Sequence, residues 1–273
     1  MGFRCDGPAR YAADQRSGER AAGRDRFRHV RWHGGGSSAG RPAIEQDERL
    51  VVRIEGTGAK EGRILVFDAR SLRLVAITDS LRDGTDGLSE RASAAVRGGA
   101  TMLQLRLPGE SARTLVMAAR ALRQAAPGVP LLVNDRADVA LAAGADGVHV
   151  GADGLSPVAL RRMLPVPFII GFSVGAHADV VRREGADYVA IGPVFTSGGG
   201  TGPSDAIGIA RFVELAEECG IPALAIGGIA LTNARDVIAA GAWGVAVISA
   251  LFGVPDPMLA ARAFRSALDA SGR

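Results

Sequence analysis

The sequence predicts a single (β/α)8 barrel, a TIM barrel, that follows a basic N-terminal extension which we expect to be disordered. From Leu72 onward, short apolar runs alternate with longer amphipathic segments eight times in about 200 residues, as in a chain of βα units. The unit Gly-Ala-Asp or Gly-Ala-Trp begins three helix-to-strand turns, at Gly144, Gly185 and Gly241. An open dinucleotide-binding sheet requires Gly-x-Gly-x-x-Gly after an early strand, and this spacing does not occur.

The extension comprises residues 1–71 and the barrel residues 72–273. Residues 1–49 are rich in Arg, Gly, Ser and Asp, without helical or strand periodicity, which is typical of disordered segments. Two apolar stretches within residues 50–67 flank a Gly-rich turn and predict a small hairpin.

The barrel strands are predicted as short apolar runs bounded by Gly, Pro, Asp or Asn. They cover residues 74–78, 102–106, 130–134, 147–150, 168–172, 188–191, 223–226 and 244–248. The helices are predicted from apolar periodicity and from caps such as Ser156-Pro157. They cover residues 88–97, 111–125, 137–143, 157 onward, 178–184, 207–218, 234–240 and 257–268.

Composition and charge exclude several function classes. From Leu72 onward 18 Arg face 19 Asp and Glu, so the barrel lacks the basic footprint of a nucleic-acid-binding protein. The only lysine is Lys60, outside the barrel, which excludes Schiff-base chemistry in it. Cys5 and Cys219 have no metal or redox spacing. No apolar run is long enough for a membrane span or a secretory signal, so we expect a cytoplasmic protein without a membrane partner.

Polar residues just past the strand ends are the functional candidates in a barrel, because active sites form at that face. The set mixes one cation, several hydrogen-bonding neutral groups and two carboxylates, which suits an anionic, phosphorylated substrate with Mg²⁺. It consists of Thr78, Asp79, Gln104, Arg106, Asn134, Asp135, His149, Ser173, Thr196, Ser197, Gly227, Gly228 and Ser249.

Alternatives remain open for single members of this set. Asp135 is a candidate metal ligand, but Asn-Asp before a helix also suits a plain N-cap. His149 lies within an apolar strand and is interpreted as a hydrogen-bonded core residue rather than a base. Gly227-Gly228 and Ser249 follow the last two strands, where barrels form phosphate sites, although the glycines could serve tight turn geometry alone.

Eight short motifs follow one another in a fixed order along the barrel. They are Thr78-Asp79, Gln104-Leu105-Arg106, 134–142 (Asn-Asp-Arg-Ala-Asp-Val-Ala-Leu-Ala), 144–151 (Gly-Ala-Asp-Gly-Val-His-Val-Gly), 185–189, 192–195 (Gly-Pro-Val-Phe), 225–229 (Ala-Ile-Gly-Gly-Ile) and 247–252. This series resembles the thiamine phosphate synthase family, which includes thiazole tautomerases, and the resemblance covers the whole barrel.

The resemblance implies that an aminomethylpyrimidine pyrophosphate is joined to a thiazole phosphate with release of pyrophosphate. It implies that Gln104, Arg106, Asn134 and Ser173 hold the pyrimidine pyrophosphate, with the last three also catalytic. Asp135 would bind Mg²⁺. Gly228, Ile248 and Ser249 would cradle the thiazole phosphate, and Ser197 is a further substrate-binding candidate.

Several family charges are replaced, so a weakened metal site is expected. Leu107-Pro108 stand where the family has Glu-Lys, and Gly198–Gly202 replace a loop lysine. Gly154 stands at the second metal carboxylate, for which Asp153 is the alternative. Gly175 stands where the tautomerases have histidine, with His177 two residues later.

Three hypotheses follow, the first being a thiamine phosphate synthase. The second is an isomerase acting on a thiazole carboxylate phosphate, and the third is a non-catalytic barrel that binds thiazole or thiamine phosphate. The expected partners are small phosphorylated pyrimidines and thiazoles, and self-association into a homo-oligomer is left open.

Overall fold

The computed structural model describes residues 67–165, 167–196 and 206–270. Nearly all of the predicted extension, with its hairpin, and also Ser197 lie outside the described residues. No helix within the described ranges is both long and apolar enough to cross a membrane.

Eight parallel strands close into a barrel in sequence order, which confirms the predicted fold. The strands are β1 (Leu74–Ile77), β2 (Met102–Leu105), β3 (Leu131–Asn134), β4 (Gly147–Val150), β5 (Ile169–Val174), β6 (Tyr188–Ile191), β7 (Ala223–Ile226) and β8 (Gly244–Val247). The helices are α1 (Gly84–Arg97), α2 (Ala112–Ala125), α3 (Ala137–Ala143), α4 (Pro157–Met163), α5 (His177–Val180), α6 (Gly208–Cys219), α7 (Ala234–Ala239), α8 (Ser249–Phe252) and α9 (Pro257–Asp269).

Three helical elements differ from the sequence prediction. The first helix, predicted from residue 88, begins at Gly84. The helix expected over residues 178–184 ends at Val180, and the Arg183 side chain beyond it donates hydrogen bonds to the carbonyls of Val180 and Cys219. The short α8 was not predicted, since its four residues carry no periodic pattern. The differences at α1 and α5 concern helix ends, which are the least certain part of a sequence prediction.

Alternating side chains separate the inside of the barrel from its outer layer. The inner cluster consists of buried apolar residues of the strands and of Leu72, and Phe67 stacks on Tyr188 with ring centroids 6.0 Å apart. Tyr188 pairs with Gly171 on the neighbouring β5, and its ring lies over Gly171, where a Cβ would collide with the Tyr188 ring and with His149. A large and a small side chain therefore share one layer of the interior.

The Gly-Ala-Asp turns use their aspartates to start neighbouring strands. Asp146 accepts hydrogen bonds from the Leu131 N–H at 2.8 Å and from Arg123. Asp187 accepts from the Ile170 N–H at 2.8 Å and from Arg161. Each carboxylate thus satisfies a backbone group at the lower rim of the barrel. Burial raises the pKa of Asp187, although the Arg161 charge opposes this.

Replacement of Asp187 by alanine is expected to destabilise the barrel. The change leaves the Ile170 N–H without its acceptor and removes the ionic partner of Arg161, whose guanidinium keeps its hydrogen bonds to the Gly185 and Phe168 carbonyls; the expected cost is about 2–4 kcal/mol. Chemical denaturation measures the loss, and Glu217→Ala on the exposed face of α6 is the control, expected to change stability by less than about 0.5 kcal/mol. Equal stabilities of the two variants would contradict the proposed role of the turn.

Candidate active site

Buried polar side chains are concentrated at one end of the barrel. Among the described residues, the buried polar or charged residues are Thr78, Gln104 and His149. All three lie at or just past the carboxyl ends of β1, β2 and β4, on the face where the candidate residues were expected. Because a buried polar group needs a hydrogen-bond partner, each of them fixes a neighbour at this mouth.

Thr78 joins the ends of β1 and β2. Its hydroxyl donates to the Arg106 carbonyl at 3.1 Å and accepts from the Arg106 N–H at 2.9 Å. The Arg106 side chain is exposed, and no described residue accepts a hydrogen bond from its guanidinium. Arg106 is therefore held by its backbone and leaves its positive charge free for an anionic ligand.

Asp79, by contrast, is engaged in ion pairs with Arg82 and Arg91. Arg82 also donates to the Phe252 carbonyl at 2.6 Å, which ties the loop after β1 to the end of α8. The Asp79 charge is thus neutralised within the protein. This candidate serves the architecture of the mouth rather than a cation.

A directed chain of hydrogen bonds links Asp135, Asn134 and Gln104. The Asp135 carboxylate can only accept, and it accepts from the Asn134 amide N–H at 2.6 Å and the Gly151 N–H at 2.9 Å. The Asn134 amide oxygen in turn accepts from Gln104 Nε2 at 2.7 Å. This series of hydrogen bonds fixes the orientations of the Asn134 and Gln104 side-chain amides. It leaves Gln104 Oε1 as an acceptor without a partner among the described residues.

Asp135 is not the N-cap of α3, which was the alternative left open by the sequence. The cap position belongs to Arg136, and no side chain caps it. Asp135 adopts a positive φ of 58°, which is uncommon for a residue other than glycine and costs of order 1–3 kcal/mol. The backbone N–H of Asp135 bonds the His149 carbonyl at 2.8 Å, and this contact helps to hold the strained residue at the mouth.

His149 is a hydrogen-bonded core residue, as the sequence suggested. Its Nδ1 lies 3.0 Å from the Tyr188 hydroxyl and its Nε2 lies 3.0 Å from Ser173 Oγ. Burial lowers the pKa of His149 to about 4, although the nearby Asp135 charge opposes this shift. The imidazole is neutral at pH 7 and is unsuited to act as a base at that pH. Tyr188 was not among the predicted site residues, because in the sequence it is marked only by its hydroxyl group within an otherwise apolar strand.

Gly228 and Ser249 present backbone N–H groups that no described residue accepts. The Gly228 φ is +63°, and a Cβ there would lie 2.6 Å from the Phe195 carbonyl carbon. Glycine is therefore required for packing against the loop after β6, whether or not a ligand binds. Ile248 packs against the inner cluster, and Ser249 is exposed beside it. Two free donors thus face the end of the barrel formed by β7 and β8.

The positions of the replaced family charges are shaped by packing. Leu107 is buried in the outer core and Pro108 is exposed. Gly154 lies in a turn, and a Cβ built on it would be 3.7 Å from Asp135 Oδ1. Asp153 is exposed and makes no hydrogen bond or ion pair to a described residue. Asp135 is therefore the carboxylate that this mouth holds in a fixed position.

A magnesium ion fits this donor set only with help from a ligand. No group of three or more His, Cys, Asp or Glu side chains converges within the described ranges. Mg²⁺ is commonly held by one or two carboxylates together with substrate phosphates and water. Asp135 satisfies the minimum of that pattern, so the residues present are compatible with an ion that arrives with a pyrophosphate.

His177 lies outside the mouth. Its Nδ1 pairs with Glu218 of α6, and its Nε2 lies 2.8 Å from Arg211 Nη1. Both ring nitrogens are thus occupied by one face of α6. The Gly175 N–H that precedes it donates to Asp179 at 2.9 Å.

The pH dependence of stability tests the buried state of His149. In the unfolded chain the imidazole takes up a proton below about pH 6.5, whereas in the folded chain it does so only near pH 4. The unfolded state therefore binds more protons between these values, and stability falls as the pH falls through this window. The loss is on the order of 3 kcal/mol. Denaturant titrations of the wild type and of His149→Gln at pH 7 and pH 4.5 isolate this contribution. An identical pH dependence in both proteins would contradict it.

Comparison with known proteins identifies the family. The sequence model described as thiamine monophosphate synthase matches residues 74–251. A thiamine-phosphate synthase of Methanoculleus marisnigri is 45% identical over 205 residues, which are 72% of this chain and 96% of that protein. A thiamine-phosphate synthase of Xanthobacter autotrophicus is 43% identical over 201 residues, with 72% and 95% of the two chains covered.

Comparison with solved structures gives the same family. Thiamine phosphate pyrophosphorylase from Pyrococcus furiosus superposes with a TM-score of 0.68 at 33% identity, over 75% of this chain and 99% of that chain. A 3-hexulose-6-phosphate synthase, at 22% identity and a TM-score of 0.58 over 71% and 99% of the two chains, shares the fold alone. The chain belongs to the thiamine monophosphate synthase family.

Proposed function

We propose that the chain is a transferase that joins 4-amino-2-methyl-5-hydroxymethylpyrimidine pyrophosphate to thiazole phosphate, with thiamine phosphate and pyrophosphate as products. Family membership over the barrel assigns this reaction. The observation that carries it for this chain is the arrangement of the mouth. Directed polar groups on β2 to β5 face backbone donors at the ends of β7 and β8.

The part of the mouth formed by the polar groups on β2 to β5 suits the pyrimidine pyrophosphate. An aminopyrimidine presents an amino donor beside a ring-nitrogen acceptor. Gln104 Oε1 is an oriented acceptor for the amino group, because Asn134 fixes the Gln104 amide at 2.7 Å. Arg106 offers an unpaired guanidinium to the pyrophosphate. Arg106, Asn134 and Ser173 are the proposed catalytic residues.

The chemistry follows from the charges. The bond between the pyrimidine methylene carbon and the pyrophosphate oxygen breaks, and its electron pair leaves with the pyrophosphate. The thiazole nitrogen then donates its lone pair to the methylene carbon and forms the new C–N bond. Arg106 stabilises the negative charge that develops on the leaving group, an effect that is largest in a site shielded from water. Mg²⁺, when bound, supplies further neutralisation of that charge, and Asp135 is its proposed ligand, with Asp153 as a second candidate.

The part of the mouth at the ends of β7 and β8 suits the thiazole phosphate. The N–H groups of Gly228 and Ser249 are donors without acceptors among the described residues, and anionic oxygens are strong acceptors for such groups. Ile248 provides an apolar wall beside them. Ser197, which lies outside the described residues, stays a predicted substrate contact.

No observation favours the isomerase or the non-catalytic alternative. An isomerase of the proposed kind needs a histidine base at the mouth. The two histidines in the described ranges are otherwise engaged: His149 is buried and neutral, and His177 is paired with α6. We further propose a cytoplasmic enzyme that acts on small phosphorylated substrates without a nucleic-acid or membrane partner.

The direct test is the reaction itself. Purified chain is incubated with both phosphorylated precursors and Mg²⁺, and thiamine phosphate and pyrophosphate are quantified. Equimolar formation of both products is the expected result. Binding of thiazole phosphate without formation of either product would overturn the proposal in favour of a binding protein.

A second carboxylate at position 154 is expected to strengthen the metal requirement. Gly154→Asp places its side chain near Asp135, since a Cβ there is 3.7 Å from Asp135 Oδ1. The Mg²⁺ concentration for half-maximal rate should fall by about tenfold, equivalent to ~1.4 kcal/mol. Gly154→Ala adds the same Cβ without charge and is the matched control. Asp135→Asn should raise the requirement. An unchanged Mg²⁺ dependence in all three variants would place the ion elsewhere.

A charge at position 249 is expected to weaken binding of the thiazole phosphate. Ser249 is exposed, so Ser249→Asp disturbs no packing, but its carboxylate repels a phosphate held by the neighbouring N–H groups. The KM for thiazole phosphate should rise by at least about tenfold. Ser266→Asp, on the exposed face of α9, adds the same charge away from the mouth and should leave this KM unchanged. Equal KM values in the two variants would contradict the assignment.

A further inference from the structure

We propose that Tyr188 holds His149 in the neutral tautomer that carries its proton on Nε2, and that this tautomer makes the Ser173 hydroxyl a hydrogen-bond donor to the pyrimidine substrate. The inference rests on the proposed function for the identity of that substrate. Tyr188 and His149 are positioning residues, since they act through Ser173.

Three side chains form an unbranched line from the barrel interior to its mouth. The Tyr188 hydroxyl is 3.0 Å from His149 Nδ1, and His149 Nε2 is 3.0 Å from Ser173 Oγ. Tyr188 is fully buried, His149 is 4% exposed and Ser173 is partly exposed. The line therefore leads from the buried interior to Ser173, its most exposed member.

The direction of the first hydrogen bond follows from the surroundings of Tyr188. The inner cluster around its ring is apolar, and within the described residues His149 Nδ1 is the hydroxyl's hydrogen-bond partner. If Nδ1 carried the proton and donated it, the buried Tyr188 O–H would have no acceptor. An unmet buried hydroxyl costs about 1–3 kcal/mol. Tyr188 therefore donates, and Nδ1 accepts.

The direction of the second hydrogen bond follows from the first. A neutral imidazole has one donor and one acceptor nitrogen. An Nδ1 that accepts the Tyr188 hydroxyl carries no proton, so the ring is not the doubly protonated cation. With Nδ1 accepting, the proton is on Nε2 and is donated to Ser173 Oγ. The Ser173 O–H is then left to donate into the mouth.

This polarity complements the acceptor on Gln104. The chain through Asn134 to Asp135 makes Gln104 Oε1 an acceptor, and the line through His149 to Tyr188 makes Ser173 a donor. Two side-chain networks, which share no side-chain hydrogen bond, thus prepare one acceptor and one donor. An aminopyrimidine offers the matching pair, an amino donor and ring-nitrogen acceptors. The protein therefore selects a ring that carries both a hydrogen-bond donor and a hydrogen-bond acceptor.

The tautomer is measured directly by NMR. Long-range nitrogen–proton correlation spectra of the protein labelled with 15N-histidine distinguish the two neutral tautomers and the cation. We expect a protonated Nε2 and an unprotonated Nδ1 for His149 at pH 7, with the assignment made by loss of the signals in His149→Gln. A protonated Nδ1, or a cationic ring, would overturn the proposal. This measurement requires no turnover, so failure of the chain to form thiamine phosphate would count against the proposed function alone.

A mutant cycle tests the effect on substrate. Tyr188→Phe keeps the ring and removes the donor, so the Nε2-protonated fraction should fall and the KM for the pyrimidine pyrophosphate should rise about tenfold. The KM for thiazole phosphate should stay the same. In a Ser173→Ala background Tyr188→Phe should add less than about twofold, because the effect passes through Ser173.

Leu224→Val is the control for packing, since Leu224 belongs to the same inner cluster and has no polar atom in its side chain. It should leave the His149 spectrum and both KM values unchanged. Equal increases in both KM values on Tyr188→Phe, or full additivity with Ser173→Ala, would make Tyr188 a packing residue. If Tyr188→Phe fails to fold, the NMR spectrum of the wild-type protein, which reports the His149 tautomer, decides whether the proposal stands.

Discussion

The mouth of this barrel depends on one constraint: a polar side chain that is buried must be hydrogen-bonded. Thr78, Gln104 and His149 are the buried polar residues of the described barrel, and each satisfies the constraint by holding a neighbour. Thr78 holds the backbone of Arg106, Gln104 is held by Asn134, and His149 holds Ser173. The requirement that stabilises the core therefore also orients the groups that meet a ligand.

The mouth is divided between two kinds of surface. At the carboxyl ends of β2 to β5 the mouth carries the amide, imidazole and hydroxyl groups of Gln104, Asn134, His149 and Ser173, whereas Ala190, Ile226 and Ile248 contribute apolar side chains at β6 to β8. Beyond the apolar part, the backbone N–H groups of Gly228 and Ser249 have no acceptor among the described residues. This division matches the two proposed substrates, a pyrimidine bound by hydrogen bonds and a thiazole bound by apolar contact and through its phosphate. The proposed phosphate site therefore requires no charged side chain.

The sequence predicted the order and approximate bounds of every strand, because each is a short apolar run between turn residues. It also predicted that Asp135, Gln104 and Ser173 belong to the mouth. It did not predict the part of Tyr188, since its contact with His149 depends on strand register and on the absence of a side chain at Gly171, over which the Tyr188 ring lies. The sequence left open whether Asp135 was a cap or a mouth carboxylate; α3 starts one residue later, with Arg136 as its cap, and Asp135 instead accepts from the Gly151 N–H, 16 residues away. Gly228 has a packing reason, against Phe195, that no local pattern displays.

The division of the mouth is tested most directly by a crystal structure of the chain with thiamine phosphate, Mg²⁺ and pyrophosphate. The account predicts that the phosphate of thiamine phosphate lies within about 3 Å of the backbone nitrogens of Gly228 and Ser249. It predicts the pyrimidine amino group on Gln104 Oε1 and the pyrophosphate beside Arg106 and Asp135. A phosphate bound away from Gly228 and Ser249, or a pyrimidine ring on the side of Ile226 and Ile248, would contradict it.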